Sequence, residues 1–191
     1  MIQPPTYPAR PLNGGALDVA LPKRGDWRAE PKYNGWRALV HVPTGVMFNR
    51  KLERLSIENE FATALAELRA RIRFDTWADC EALERRHNMA RGTLIVLDLI
   101  IPGTYLERRG TLSRSLLQCA IGQRIEPDSI YLTPSYENAK QTWERAQKAN
   151  LSLHCDFYEG IVCKRADRPY PIQRISATRE TADWIKHRWR A

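Results

Sequence analysis

The 191-residue chain is 43% hydrophobic and 27% charged, an ordinary balance for a globular protein that can bury one core. It has no apolar run of about 18 residues, and MIQPPTYPARP lacks the apolar stretch of a signal peptide; this argues against a membrane partner and for the cytoplasm. Thirty Lys and Arg against 22 Asp and Glu give a net charge of +8, which suits a polyanionic partner.

Residues 1–25 are rich in Pro and Gly, show no periodicity and read as an extended lead-in to a single domain spanning 1–191. Strand-like runs follow at 27–32, 36–42 and 46–49. Tyr33-Asn34-Gly35 and Pro43-Thr44-Gly45 break them with turn chemistry, so a β-meander is expected. Ser56 predicts the N-cap of a helix running to residue 74, with Phe61, Leu65, Leu68 and Ile72 on one face. Residues 77–83 alternate as a strand. Residues 93–101 form an apolar run broken only by Asp98, which predicts a buried central strand. A helix is expected over 113–121, with Leu116, Leu117 and Ala120 on one side. A short strand follows at 130–133. Asn138 then caps a polar helix to about residue 149, and strands are expected at 158–164 and 184–189. This order predicts an α+β fold with mainly antiparallel sheets.

The other residues with chemical potential have plainer readings. Cys80, Cys119, Cys155 and Cys163 contain no CxxC pair and read as free thiols. Trp36, Trp184 and Trp189 read as core, and Arg69, Arg71 and Arg73 as a solvated helix face. Arg85, Arg86, Arg108 and Arg109 are candidates for a patch facing the backbone of a polyanion. His41, His87, His154 and His187 form no catalytic pattern; His87 reads as surface, and strand alternation turns His187 away from its neighbours.

Four segments set charges on or beside apolar strands: EPKYNGWR, WADCEALER, YEGIVCKR and WIKHRW. A charge there is costly without a partner or a ligand. Together they supply Lys32, Arg37, Glu81, Glu159, Lys164, Lys186 and Arg188. Two carboxylates and several cations on neighbouring strands are what a Mg²⁺-nucleotide site requires.

In this order the segments resemble the covalent nucleotidyltransferase superfamily of DNA ligases, RNA ligases and mRNA capping enzymes. The resemblance runs from about Trp27 to Trp189. Lys32-Tyr33-Asn34-Gly35-Trp36-Arg37 matches the motif KxDGxR except at Asn34. EGIVCK followed by WIKHR makes the combination specific, and EGIVCK looks more like ligases than capping enzymes. LIVLDLI followed by Glu107-Arg108-Arg109 is also similar to DNA ligase sequences.

The resemblance implies a ligase-type nucleotidyltransferase (ATP-grasp-like) core without an OB-fold domain, and ATP with Mg²⁺ or Mn²⁺ as cofactors. Lys32 would attack the α-phosphate of ATP and take up AMP, with burial and nearby cations favouring its free amine. Lys164, Lys186 and Arg188 would stabilise the phosphoryl transfer. Glu30 would lie at the adenine edge, Arg37 near the ribose and phosphate, and Arg50 at the nucleotide or the DNA phosphate. Glu81 and Glu159 would handle ribose and metal. Leu97 stands where an aromatic often stacks on adenine, which predicts weak base affinity, and Arg188 replaces a usual lysine. Asn34 replaces an aspartate, which predicts weakened metal placement and slow sealing. The implied function is ATP-dependent DNA ligation on nicked duplex DNA by a monomer, with two readings left for the OB fold: a separate OB-fold protein as partner, or a longer chain of which these residues are a piece. RNA ligation through the same lysine, and a nick-binding accessory module, remain as alternatives.

Overall fold

Both early turn signals form, but the first joins two different sheets. In the computed structural model, which describes residues 2–17, 25–83 and 90–189, β2 (Trp27–Tyr33) pairs in one sheet and β3 (Trp36–His41) in another. The expected meander therefore exists only from β3 onward, through β4 (Met47–Phe48) and β5 (Arg54–Leu55). Because only Asn34 and Gly35 separate β2 from β3, residues at this crossing lie close to both sheets.

The first sheet also holds β1 (Arg10–Asn13), β9 (Tyr158–Arg165) and β10 (Glu180–Arg188), in the order β1-β10-β9-β2. The second adds β6 (Trp77–Leu83), β7 (Thr93–Leu99) and β8 (Ile130–Leu132), in the order β5-β4-β3-β6-β7-β8. Pairing is antiparallel except for β1 with β10 and β7 with β8. The architecture is thus mixed α and β with mainly antiparallel sheets, as the element order implied. β1 corrects the reading of residues 1–25 as a lead-in without regular structure. Its Pro11 carries no amide donor and sits on an edge strand, which tolerates that loss.

The helices pack against the sheets by apolar faces. α1 (Ala62–Arg71) follows a 3-10 turn at Glu58–Phe61, and Phe61, Leu65, Leu68 and Ile72 are buried against Ala38, Val40 and Val96 of the second sheet. Neither the 3-10 turn nor α1 has a side-chain cap, so the start expected at Ser56 is corrected. α2 (Tyr105–Ser115) replaces the helix expected at 113–121. Its start is set by a capping box in which Thr104 accepts from the Glu107 amide and Glu107 accepts from the Thr104 amide. Leu116 is already extended, and Leu117 is 71% exposed. α3 (Ala139–Leu153) begins at Asn138, whose side chain accepts from the Gln141 amide at 2.9 Å, as read. It lays Ala146 and Ala149 against Tyr33, Phe157 and Tyr158.

β7 is an interior, largely buried strand between β6 and the edge strand β8, rather than the central strand expected. β6 is buried at all seven positions rather than alternating. Trp184 lies in the core, and Trp189 packs edge-on against Trp143. Trp36 is 44% exposed, against the core reading. The four cysteines are free. Arg69, Arg71 and Arg73 are solvent-exposed. Arg85, Arg86 and His87 lie outside the described residues. No helix among the described residues is long and apolar enough to cross a membrane.

Candidate active site

Strand register brings the charged segments of the first sheet onto one face. Across β2, β9 and β10 the rows read Arg28–Lys164–Trp184, Glu30–Val162–Lys186 and Lys32–Gly160–Arg188. Residues directly opposite one another in an antiparallel sheet share a face, so Glu30, Lys32, Lys164, Lys186 and Arg188 converge. His187 falls on the other face and is buried, as alternation required.

Strict alternation would turn Glu159 away from this group. A bulge prevents it: Lys32 pairs with Gly160 and Tyr33 with Tyr158, which leaves Glu159 as the extra residue. A bulge re-aims its side chain, and the Glu159 carboxylate meets the Lys32 ammonium at 2.7 Å and Arg188 at 3.0 Å. Gly160 is needed in the middle row because a Cβ there would lie 1.9 Å from the His187 carbonyl oxygen.

The second sheet repeats the device. Asp79 pairs with Asp98 and Cys80 with Val96, so Leu97 is bulged out of β7. The Leu97 carbonyl, released from the ladder, accepts from Lys164 Nζ at 2.9 Å. Arg37 and Glu81 sit opposite each other on β3 and β6. Arg37 makes a bidentate pair with Asp79 beneath it. Burial works against the Arg37 charge, and the Asp79 carboxylate more than restores it. Asp79 also accepts from the Tyr170 hydroxyl at 2.6 Å. Glu81 accepts from the Gly35 amide at 2.9 Å, and a Cβ at Gly35 would press on the Ala82 carbonyl oxygen at 2.7 Å. Burial pushes the Glu81 carboxyl up to about 7, although Lys32 and Arg37 pull it down.

All ten residues singled out from the sequence line one cleft of about 690 Å³ between the sheets: Glu30, Lys32, Arg37, Arg50, Glu81, Leu97, Glu159, Lys164, Lys186 and Arg188. Arg10 and Lys51 add further cations, so eight cations face four carboxylates, a balance suited to a polyphosphate. Lys186 has its proton affinity lowered by burial, opposed by Glu180.

Glu30 and Lys164 are buried rather than open. They pair at 2.8 Å, Tyr105 donates to Glu30 at 2.6 Å, and the Lys164 ammonium lies 4.2 Å from the Trp184 ring centre. Arg108 is fully buried and bidentate to Asp98 at 2.8 and 2.9 Å, and Arg109 is 11% exposed at its side chain. Neither forms a surface patch for DNA. They tie α2 to the strands beneath the cleft. Asn34 donates its amide to the Asp156 carbonyl at 3.2 Å, a bond that an aspartate carboxylate cannot make.

Asp79, Tyr105, Asp98, Tyr170 and the wall formed by Pro8 to Pro11 were not legible as site residues. The only signal was charge or hydroxyl inside an apolar strand, as at Asp98 in LIVLDLI. Pairing such a group with its partner needs the fold.

No protein-family model matches the chain, and no curated protein does. Solved structures do. A mycobacterial DNA ligase D complexed with ATP and MES is 17% identical, with a TM-score of 0.64 over 96% of this chain and 60% of that one. The ligase domain of M. tuberculosis LigD gives 17% identity and 0.65 over 96% of this chain and 59% of that one. A Lig E DNA ligase gives 10% identity and 0.57 over 94% and 68%. The chain thus spans about 60% of the length of the LigD structures that it matches. From these likenesses, the chain has the fold of the adenylation (nucleotidyltransferase) domain of ATP-dependent DNA ligases.

Proposed function

We propose that this chain is an ATP-dependent, DNA ligase-type adenylyltransferase in which Lys32 carries AMP. The observation that supports this most is the convergence of Lys32, Glu81, Glu159, Lys186 and Arg188 on one cleft in the fold of DNA ligases. Lys32 Nζ attacks the α-phosphorus of ATP. A nitrogen–phosphorus bond forms, the bond to pyrophosphate breaks, and the lysine proton leaves to solvent or to a neighbouring carboxylate. Before attack, Lys32 must leave its ion pair with Glu159, and Arg188 remains to hold that carboxylate. Lys186 and Arg188 offset the charge gathering on the phosphates. AMP then passes to the 5′-phosphate of nicked duplex DNA, and the 3′-hydroxyl displaces it.

Glu81 and Glu159 suit a hard divalent cation such as Mg²⁺. No group of three His, Cys, Asp or Glu that could hold a metal ion exists among the described residues, so phosphate oxygens and water would complete the shell. The ion would supply charge neutralisation at the phosphates. Asn34 lacks a carboxylate and is committed to Asp156, which favours slow sealing.

The test is a mass spectrum after incubation with ATP and Mg²⁺. A single AMP is expected on Lys32, labile to acid and stable to alkali, and absent in Lys32→Ala. An adduct on Lys164 or Lys186 overturns the assignment.

A further inference from the structure

Arg109 stands outside the proposed chemistry, yet it is buried in an unusual way. Its Nη2 donates to the Gln118 side chain at 2.9 Å. Its Nη1 is buried, has no hydrogen-bond partner among the described residues, and lies 3.9 Å from Oε1 of Glu30. A buried guanidinium donor left unbonded is rare and points to a second arrangement that satisfies it.

The surrounding charges indicate that arrangement. Glu30 and Asp98 are the buried carboxylates here, and Lys164, Arg108 and Arg109 are the cations. Arg108 is held by Asp98 through Nε and Nη2 and by the Gly103 and Arg168 carbonyls through Nη1, so it is not free to move. Lys164 is the cation that both contacts Glu30 and lines the cleft. If Lys164 turned toward an anion in the cleft, Glu30 would keep only the Tyr105 hydroxyl. A buried carboxylate stripped of its cation is strongly disfavoured. Arg109 Nη1 needs to move only about 1 Å to reach hydrogen-bond distance, and Gln118 holds its other nitrogen in place.

We propose that Arg109 is a positioning residue that takes over Glu30 when Lys164 shifts to the phosphates of a bound nucleotide. The inference rests on the nucleotide-binding reading. Arg109 acts through Glu30 and Lys164 and touches no substrate.

Single-turnover formation of the Lys32 adduct, followed by mass spectrometry across ATP concentrations, tests it. Arg109→Gln should lower the saturating rate by about tenfold or more, with a smaller change in the half-saturating ATP concentration. Arg109→Lys should recover most of the rate. In a Glu30→Gln background, Arg109→Gln should have no further effect, because no carboxylate is left to take over. A wild-type rate in Arg109→Gln, or an equal loss in the Glu30→Gln background, overturns the relay while the nucleotide reading stands. No adduct on the unmodified chain overturns both. If Arg109→Gln does not fold, a crystal structure of the unmodified chain with a non-hydrolysable ATP analogue decides. The relay requires Arg109 to hydrogen-bond Glu30 and Lys164 to leave it, and unchanged pairs overturn the relay.

Discussion

Glu81 shows how burial and charge set a single group. Its carboxyl is pushed up to about 7 by burial first, with Glu159 adding to the shift and Lys32, Arg37 and the Gly35 amide opposing it. The folded chain therefore holds this proton more tightly than the unfolded chain, whose carboxyl titrates near 4.5. Folding is unpenalised below that lower value, and stability falls as pH rises toward about 7. The loss is at most about 3–4 kcal/mol, since one pKa unit is worth about 1.4 kcal/mol. Denaturant unfolding at pH 5 and pH 8 should show wild type losing stability relative to Glu81→Gln at the higher pH. Equal differences at both pH values would refute the shift.

At the scale of elements, the buried Arg108–Asp98 pair fastens α2 to β7. Breaking it from one side leaves an uncompensated buried charge. Asp98→Ala should therefore cost about 3–5 kcal/mol in an unfolding titration. A loss below about 1 kcal/mol would mean that the pair is solvated in solution. The helix assignments follow the same logic. Asn138 marks the start of α3 because it caps within its own segment. Ser56 lies just before a 3-10 turn, and packing of Phe61 and Leu65 set the start of α1 instead. The capping box of Thr104 and Glu107 was present in the sequence, but the apolar periodicity of 113–121 competed with it.

For the whole molecule, the two sheets and their linking turn make a cleft whose cations exceed its carboxylates. Binding of nicked duplex DNA should weaken steeply with added salt, because each phosphate contact releases condensed counterions. Arg50 and Lys51 lie in the turn after β4 at the edge of this cleft, with Lys51 exposed. Lys51→Ala should reduce the slope of log affinity against log salt by about one. An affinity indifferent to salt would argue against a polyanion in this cleft.

Resemblance to the nucleotidyltransferase superfamily pointed to Glu30, Arg50 and Leu97, while the residues by themselves determined β2 to β4 and β6 to β10, the α3 cap, the face of α1 and the other seven cleft residues. These signals are local: side-chain period, turn chemistry, and charge where an apolar strand makes charge expensive. Tertiary structure alone decided that β2 and β3 belong to different sheets, because a two-residue turn is compatible with a hairpin or a crossing. It alone placed the bulges that aim Glu159 into the cleft and free the Leu97 carbonyl, since a bulge depends on the register of the partner strand. It also decided that Arg108, Arg109 and Lys164 lie inside, because a buried cation is tolerable only where the fold brings a carboxylate from a distant part of the chain to meet it.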